Sequence, residues 1–215
     1  MKRFWTSDIH FGHANIVKYC NRPYLRKGDL IKDKITGIMN WSSRDAALKC
    51  AERMNISLIK SINGRVKEDD VVVHVGDFAN YGKVRGVEGL RVKPMNYLSQ
   101  LNGSWVMIKG NHDPNNHIKT IGDYLITNIG PYQVFVSHYP SDSIRHDTEL
   151  ISWVSRKCHF VICGHVHEKW AERWIDNGYT RPIFNINVGV DVRRYMPIDD
   201  AEIINIYMKA TRKKC

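Results

Sequence analysis

In Thr6-Ser7-Asp8-Ile9-His10-Phe11-Gly12-His13 the motif Asp8-Ile9-His10 follows directly on residues 3–7, an apolar, strand-like run. In an extended segment alternate residues share one side, so Asp8 and His10 can face the same ligand. Four more motifs repeat the pattern: Gly76-Asp77 after residues 71–75, Gly110-Asn111-His112-Asp113 after 105–109, Ser137-His138 after 133–136, and Gly164-His165-Val166-His167 after 159–163. A lone Gly-Asp or Gly-Asn is ordinarily a turn, and a lone strand-end histidine is ordinarily just hydrogen-bonded. Five such motifs in order, each after a β-like run, are not a product of turn chemistry. They predict an α/β fold that delivers oxygen and imidazole groups to one sheet edge, where open α/β folds bind ligands.

Asp8, His10, Asp77, Asn111, His138, His165 and His167 are the candidate metal ligands. One ion takes about four to six ligands, so this set suits two ions sharing a carboxylate. Mixed carboxylate and imidazole ligation favours divalent Mn²⁺, Fe²⁺, Ni²⁺ or Zn²⁺ over Ca²⁺, with Mn²⁺ the first expectation. Glycines 76, 110 and 164 precede the ligands, where they allow sharp turns and close backbone approach.

The order Asp-x-His, Gly-Asp, Gly-Asn-His-Asp, His, Gly-His-x-His resembles the calcineurin-like metallophosphoesterase superfamily over nearly the whole chain. Residues 6–16, Ser137-His138-Tyr139-Pro140 and Asn187-Val188-Gly189-Val190-Asp191 resemble its small bacterial and phage-type branch. The resemblance implies a two-sheet β-sandwich flanked by helices, and hydrolysis of phosphoesters by metal-activated hydroxide. It assigns Asp8, His10 and His167 to one ion, Asn111, His138 and His165 to the other, and Asp77 to both. It makes His112 the catalytic residue, protonating the leaving oxygen or stabilising charge on phosphorus. Protein phosphatases of the superfamily carry an aspartate three residues after the shared one. Asn80 stands there in this chain, which argues against protein phosphatase activity. His13 and Arg22 are candidate substrate contacts. His13 can equally cap the helix that starts beside it, and Arg22 reads first as a surface arginine. Asp113 reads as a turn residue.

The 215 residues, 43% of them hydrophobic, suffice for one packed domain spanning 1–215. No apolar run reaches about 18 residues, so no membrane span or membrane partner is expected. Because residues 1–5 lead straight into the first motif, no leader is expected either. Five cysteines in no tight framework point to reduced thiols and a cytoplasmic protein. Cys158 and Cys163 read as core residues. The net charge of +10 suits phosphorylated or nucleic-acid partners, or simply a basic surface. Apart from Arg212-Lys213-Lys214 it is not concentrated in one run.

Strand-like runs fall at 3–7, 71–75, 105–109, 133–137, 159–163, 183–190 and 202–208. Helical patterns fall at 13–20, at 43–66 with Ser43 as N-cap and Gly64 near the end, at 94–101 entered at Pro94, and at 148–157. Runs 181–190 and 201–208 read as an antiparallel hairpin. Alternating strands and helices with a β-rich end give a two-sheet α/β sandwich. The irregular stretches 21–40 and 78–93 follow ligand motifs and are expected at the mouth of the site.

The leading functional reading is a phosphodiesterase acting on a nucleotide-like or other small phosphorylated substrate. A nuclease or nucleic-acid end phosphatase would use the same chemistry. A non-catalytic scaffold of the same fold is the third reading, disfavoured because every expected ligand and His112 are present.

Overall fold

Strand Val71-Val72-Val73-His74-Val75 shows how the layers form: Val72 turns outward to one apolar cluster, while Val73 and Val75 turn inward to another. We describe a computed structural model, covering residues 1–81, 83–84, 87–88, 90–113, 118–144, 148–176, 178 and 181–212. In chain order its elements are β1 (Arg3–Thr6), α1 (Ala14–Tyr19), β2 (Leu30–Lys32), β3 (Met39–Trp41), α2 (Arg44–Asn63), β4 (Val71–Val75), β5 (Lys83–Val84), β6 (Val87–Glu88) and α3 (Pro94–Leu98). There follow β7 (Ser104–Ile108), β8 (Tyr124–Ile129), β9 (Tyr132–Ser137), α4 (Thr148–Lys157), β10 (Phe160–Cys163), β11 (Glu172–Ile175), β12 (Ile183–Asn187), β13 (Ile198–Asp199) and α5 (Asp200–Arg212).

One sheet has the order β13-β1-β4-β7 and the other β11-β12-β10-β9-β8. In the first, β1, β4 and β7 are parallel and β13 is an antiparallel edge. In the second, β9, β10 and β12 are parallel, with β8 and β11 antiparallel at the edges. Trp5, Val73, Val75 and Ile108 meet Val134, Val136, Phe160, Ile162 and Ile186 between the sheets. Phe4, Val72 and Met107 on the outer face pack under Met54, Leu58 and Ile62 of α2. On the far side, Phe135, Val161 and Cys163 pack under Val154 of α4 and Cys158. This is a two-sheet sandwich flanked by helices, and both cysteines are core residues. Among the described residues no helix is long and apolar enough to cross a membrane.

Helix ends follow local chemistry. The Ser43 side chain accepts from Ala46 N at the start of α2, and Gly64 closes it. Helix α4 covers the anticipated residues 148–157.

The β-rich ending is a correction. Residues 202–208 are helical, inside α5, and 183–190 is a strand only to Asn187. Strand β12 pairs with β10 and β11, not with the chain end. Ile203, Ile204, Ile206 and Tyr207 look strand-like by composition, yet 203, 206, 207 and 210 fall on one helical face and pack at the inter-sheet core. The start of the helix is a reciprocal cap: Asp199 N donates to Glu202 Oε2 (2.8 Å) and Glu202 N donates to Asp199 Oδ1 (3.0 Å). The strands β8 and β11 were not anticipated. The stretch 78–93 holds the small β5–β6 pair, and residues 82, 85, 86 and 89 of it lie outside the described residues, as do Lys213 and Lys214.

Asp200 fixes α5 to β1. It accepts from the indole of fully buried Trp5 (2.6 Å) and from Arg3 Nη2 (2.9 Å). Removing it leaves a buried donor unpaired, so Asp200→Ala should lower unfolding free energy by about 1–3 kcal/mol in urea titration. No change would mean that α5 is held by apolar packing alone.

Candidate metal centre

The five motifs leave the C-terminal ends of parallel strands, and backbone bonds carry the strand pairing onward through them. Asp8 N donates to Gly76 O (3.0 Å), His10 N to Asp77 O (3.1 Å) and Gly164 N to His138 O (3.0 Å). A parallel bridge, Ser7 to Gly189, joins the two sheets beside them. The ligand-bearing turns are sharp. Asp8, His10, Asp77, His165 and His167 all have φ between +48° and +69°, a region that costs non-glycine residues energy and persists only where the surroundings enforce it. Close approach does the rest. A Cβ on Gly110 would collide with the Asp77 carboxylate, and one on Gly164 would collide with Ser7 and the Asp8 carboxylate.

Asp77 lies in the middle, 2% exposed. Its Oδ2 is 3.4 Å from His138 Nε2, 3.6 Å from His10 Nε2 and 3.9 Å from His112 Nε2. Ligand atoms of Asp8, His10 and His167 lie within 4.8 Å of one another, and so do those of Asp8, Asp77 and His138. Asn111 Oδ1 faces His138 Nε2 (3.0 Å) and His165 Nδ1 (3.1 Å). All seven anticipated ligands therefore converge, with Asp8 and Asp77 between two imidazole groups.

Two observations fit this donor set to divalent ions. Among the described residues, both ring nitrogens of buried His10 lack a hydrogen-bond partner, which is costly unless something else binds them. His138 and His167 are each turned by a second acceptor: His138 Nδ1 meets Val75 O (2.9 Å) and His167 Nδ1 meets Asp191 Oδ2 (2.8 Å). Each Nε2 is thereby left facing the carboxylates, the outer hydrogen bond that fixes a metal-binding histidine. The protonation balance agrees. Burial alone would raise Asp77, but the hydrogen bond from His138 and the nearby imidazoles outweigh it and hold the carboxyl well below its usual range. Burial opposes a charge on His138, and Asp77 overrides that to raise it to about 9. Burial raises Asp8 and lowers His10. With burial the largest cause, His165 falls to about 4. Cys20 also approaches His167 and Glu168, but burial pushes its thiol well up, away from the thiolate that binds metal.

The remaining candidates divide. His112 stands at the rim, its side chain 42% exposed, with its ring 5.2 Å from that of His10. His13 is buried and caps α1, Nδ1 accepting from Ile16 N at 3.3 Å. Its ring still lies 5.5 Å from His10 and 6.3 Å from His112. Burial lowers its pKa to about 4, so the neutral ring carries its proton on Nε2. Arg22 is not a substrate contact. It is 1% exposed, and its donors go to Asp191 (2.7 and 3.0 Å), Asp8 O, Ile9 O and Met54 Sδ. A guanidinium has five N–H groups, and these five bonds use them.

Asp113 accepts from Gly110, Asp77 and Phe78 N–H at 2.7–3.0 Å, holding the two ligand turns together. Asn80 Nδ2 is buried and has no hydrogen-bond partner among the described residues. His74 is a core histidine. Asp191 was missed as a functional residue: its segment was legible as a motif, but only the fold brings it to His167 and Arg22.

Residues 54–190 match the calcineurin-like phosphoesterase superfamily domain, and the chain belongs to that superfamily. Its members are generally phosphoesterases that use divalent metals. An uncharacterized protein of Methanocaldococcus jannaschii is 28% identical over 214 residues, 97% of this chain and 92% of the relative. A crystal structure of a protein of unknown function from Aquifex aeolicus has a similar fold, with a TM-score of 0.61 and 22% identity over 95% of this chain and 98% of that one.

Asp191 orients His167 while neutralised by Arg22. Asp191→Asn should therefore weaken divalent-ion binding at the Asp8, His10 and His167 group by about 10–100-fold, read by chelator competition. Unchanged affinity in a folded variant would assign Asp191 to packing alone.

Proposed function

We propose that the chain is a binuclear-metal-dependent phosphoester hydrolase, a phosphodiesterase acting on nucleotide-like or other small phosphorylated substrates. The observation that carries this is the convergence of seven ligand-type side chains, buried Asp77 among them, with His112 exposed beside them. Mn²⁺ is the ion we favour, with Fe²⁺, Ni²⁺ or Zn²⁺ as substitutes, because the donors mix carboxylate, amide oxygen and imidazole. Bound divalent ions supply Lewis acidity, activating water near neutral pH and offsetting phosphoryl charge.

The chain's own residues supply the rest. Asp8 and Asp77 bring the negative charge that attracts the ions, and the fold turns His10, His138, His165 and His167 onto them. His112 Nε2 lies 3.9 Å from Asp77 Oδ2, within reach of a phosphoryl group at the centre, and gives its proton to the leaving oxygen. His13, its Nδ1 used by the helix cap, offers Nε2–H to a phosphoryl oxygen. Asn80 in place of an aspartate leaves His112 without the carboxylate partner of protein phosphatases, which favours substrates other than phosphoproteins.

The net charge of +10 favours a second reading, a nuclease or nucleic-acid end phosphatase with the same chemistry. Four buried free thiols are in keeping with a cytoplasmic setting.

With Mn²⁺, bis(p-nitrophenyl) phosphate and nucleotide diesters should be hydrolysed in preference to phosphoserine peptides. His112→Asn should keep its metal and lose turnover by about 10²–10⁴-fold, and by less where the leaving group is good. Loss of metal together with activity would make His112 a ligand. Rapid hydrolysis of phosphopeptides without diesterase activity would overturn the substrate reading.

A further inference from the structure

A cavity of about 680 Å³ opens directly off the metal centre. It shares Asn111, His165 and Gly110 with that centre and is continued by Tyr124, Tyr139, Phe135, Ile144 and Leu150. Its size lies within the usual range for small-molecule sites, and it combines apolar walls with a few polar groups, as such sites do. Tyr124 is half exposed and stacks on Phe135, with ring centroids 5.2 Å apart and planes 29° apart. One face of its ring is thereby supported from below, which fixes the ring as a platform. Tyr139 stands edge-on to His165, centroids 4.7 Å apart, and joins this wall to the metal centre. Lys109 and Asp123 pair at 3.4 Å and, with Ser143, put donors and acceptors around the apolar walls.

The position matters as much as the lining. His112, which we assign to the leaving oxygen, packs against His10 and lies near His13. The cavity instead adjoins Asn111 and His165, and His112 does not line it. In an in-line displacement the leaving group departs on the side of the general acid. The second ester substituent, which stays on phosphorus, projects elsewhere. A monoester has no such substituent, whereas a diester places one on the flank where this cavity lies.

We propose that this cavity is the subsite for the retained substituent of a phosphodiester, and that the substituent is a nucleoside whose base stacks on Tyr124. The proposal rests on the phosphodiesterase reading above and adds the substrate class and the polarity of cleavage. The oxygen of water bonds to phosphorus and the P–O bond to the leaving alcohol breaks. The alcohol takes its proton from His112, which water's proton replenishes. The product held in the cavity is a nucleoside monophosphate. Aromatic platforms stack any base, so Tyr124 selects for a base without selecting its identity. The same chemistry is presented by a free dinucleotide and by the end of a nucleic-acid strand.

The test compares ligands that differ only in the base. On Mn²⁺-loaded protein, calorimetry should find adenosine 5′-monophosphate bound about 10-fold tighter than ribose 5-phosphate, within the range of one base–aromatic stack. Tyr124→Ala should bring the two affinities together, and Tyr124→Phe should keep them apart. Leu150→Gln, on α4, should also narrow the gap. In parallel, thymidine 5′-(p-nitrophenyl phosphate) should have a higher kcat/KM than methyl p-nitrophenyl phosphate, which has the same leaving group. Equal affinities in the unaltered protein, or a gap that survives both Tyr124→Ala and Leu150→Gln, would overturn the subsite. Hydrolysis of both diesters without preference would also overturn it while leaving the phosphodiesterase reading intact. Base-dependent binding with hydrolysis of neither diester would support nucleoside recognition and sink the phosphodiesterase reading. Competition by a dinucleotide against a single-stranded hexamer tells which source is preferred, and displacement by neither counts against the proposal.

Discussion

A carboxylate buried almost completely among imidazoles sets the terms for the rest of the molecule. Asp77 keeps its charge at 2% exposure because His138, His10 and His112 bring nitrogens within 3.9 Å of one of its oxygens. A buried charge without such partners would be neutralised or would unfold its surroundings. Asp77 Oδ1 also accepts from His112 N, and Asp113 ties the Asp77 and Gly110 turns together. Five ligand residues sit at positive φ around it. Parallel strands pinned on both sides, and the Ser7–Gly189 bridge between the sheets, are what keep those turns in place. The sandwich is the support that a crowded, charged and locally strained centre requires.

The Arg22–Asp191 pair plays a different part. It is nearly fully buried, and buried ion pairs gain little stability over apolar packing. Its value lies in what it connects. Arg22 holds the carbonyls of Asp8 and Ile9, and Asp191 holds His167, so one ion pair couples the first motif to the last. Burial would raise Asp191, but His167 and Arg22 keep it ionised. The imidazole of His167 is thereby raised in its turn against the cost of burial.

The legibility of the sequence follows the range of each interaction. Strand-end motifs are local: an apolar run and a ligand-type side chain, with a glycine between them after β4, β7 and β10, announce β1, β4, β7, β9 and β10 and the residues that leave them. Ser43 and Gly64 mark the ends of α2 by short-range capping. At α5, isoleucine-rich composition concealed a helical face, although Asp199 and Glu202 spell out the cap. Edge strand β8 alternates exposed and half-buried side chains, β11 begins with the exposed Glu172 and Arg173, and both take their order from neighbours that only the fold supplies. Arg22 was legible as an arginine near a ligand motif. Its commitment to Asp191, 169 positions away, depends on tertiary structure. The roles of Asp113 and Asp191 were hidden for the same reason.

The account stands or falls on two ions sharing Asp77. Elemental analysis of purified protein equilibrated with saturating Mn²⁺ and freed of excess ion measures this directly, with Asp77→Asn alongside. Two ions per chain, with occupancy of both reduced in Asp77→Asn, is the predicted result. One ion or none in the unaltered protein, or an Asp77→Asn protein that keeps both, would contradict it.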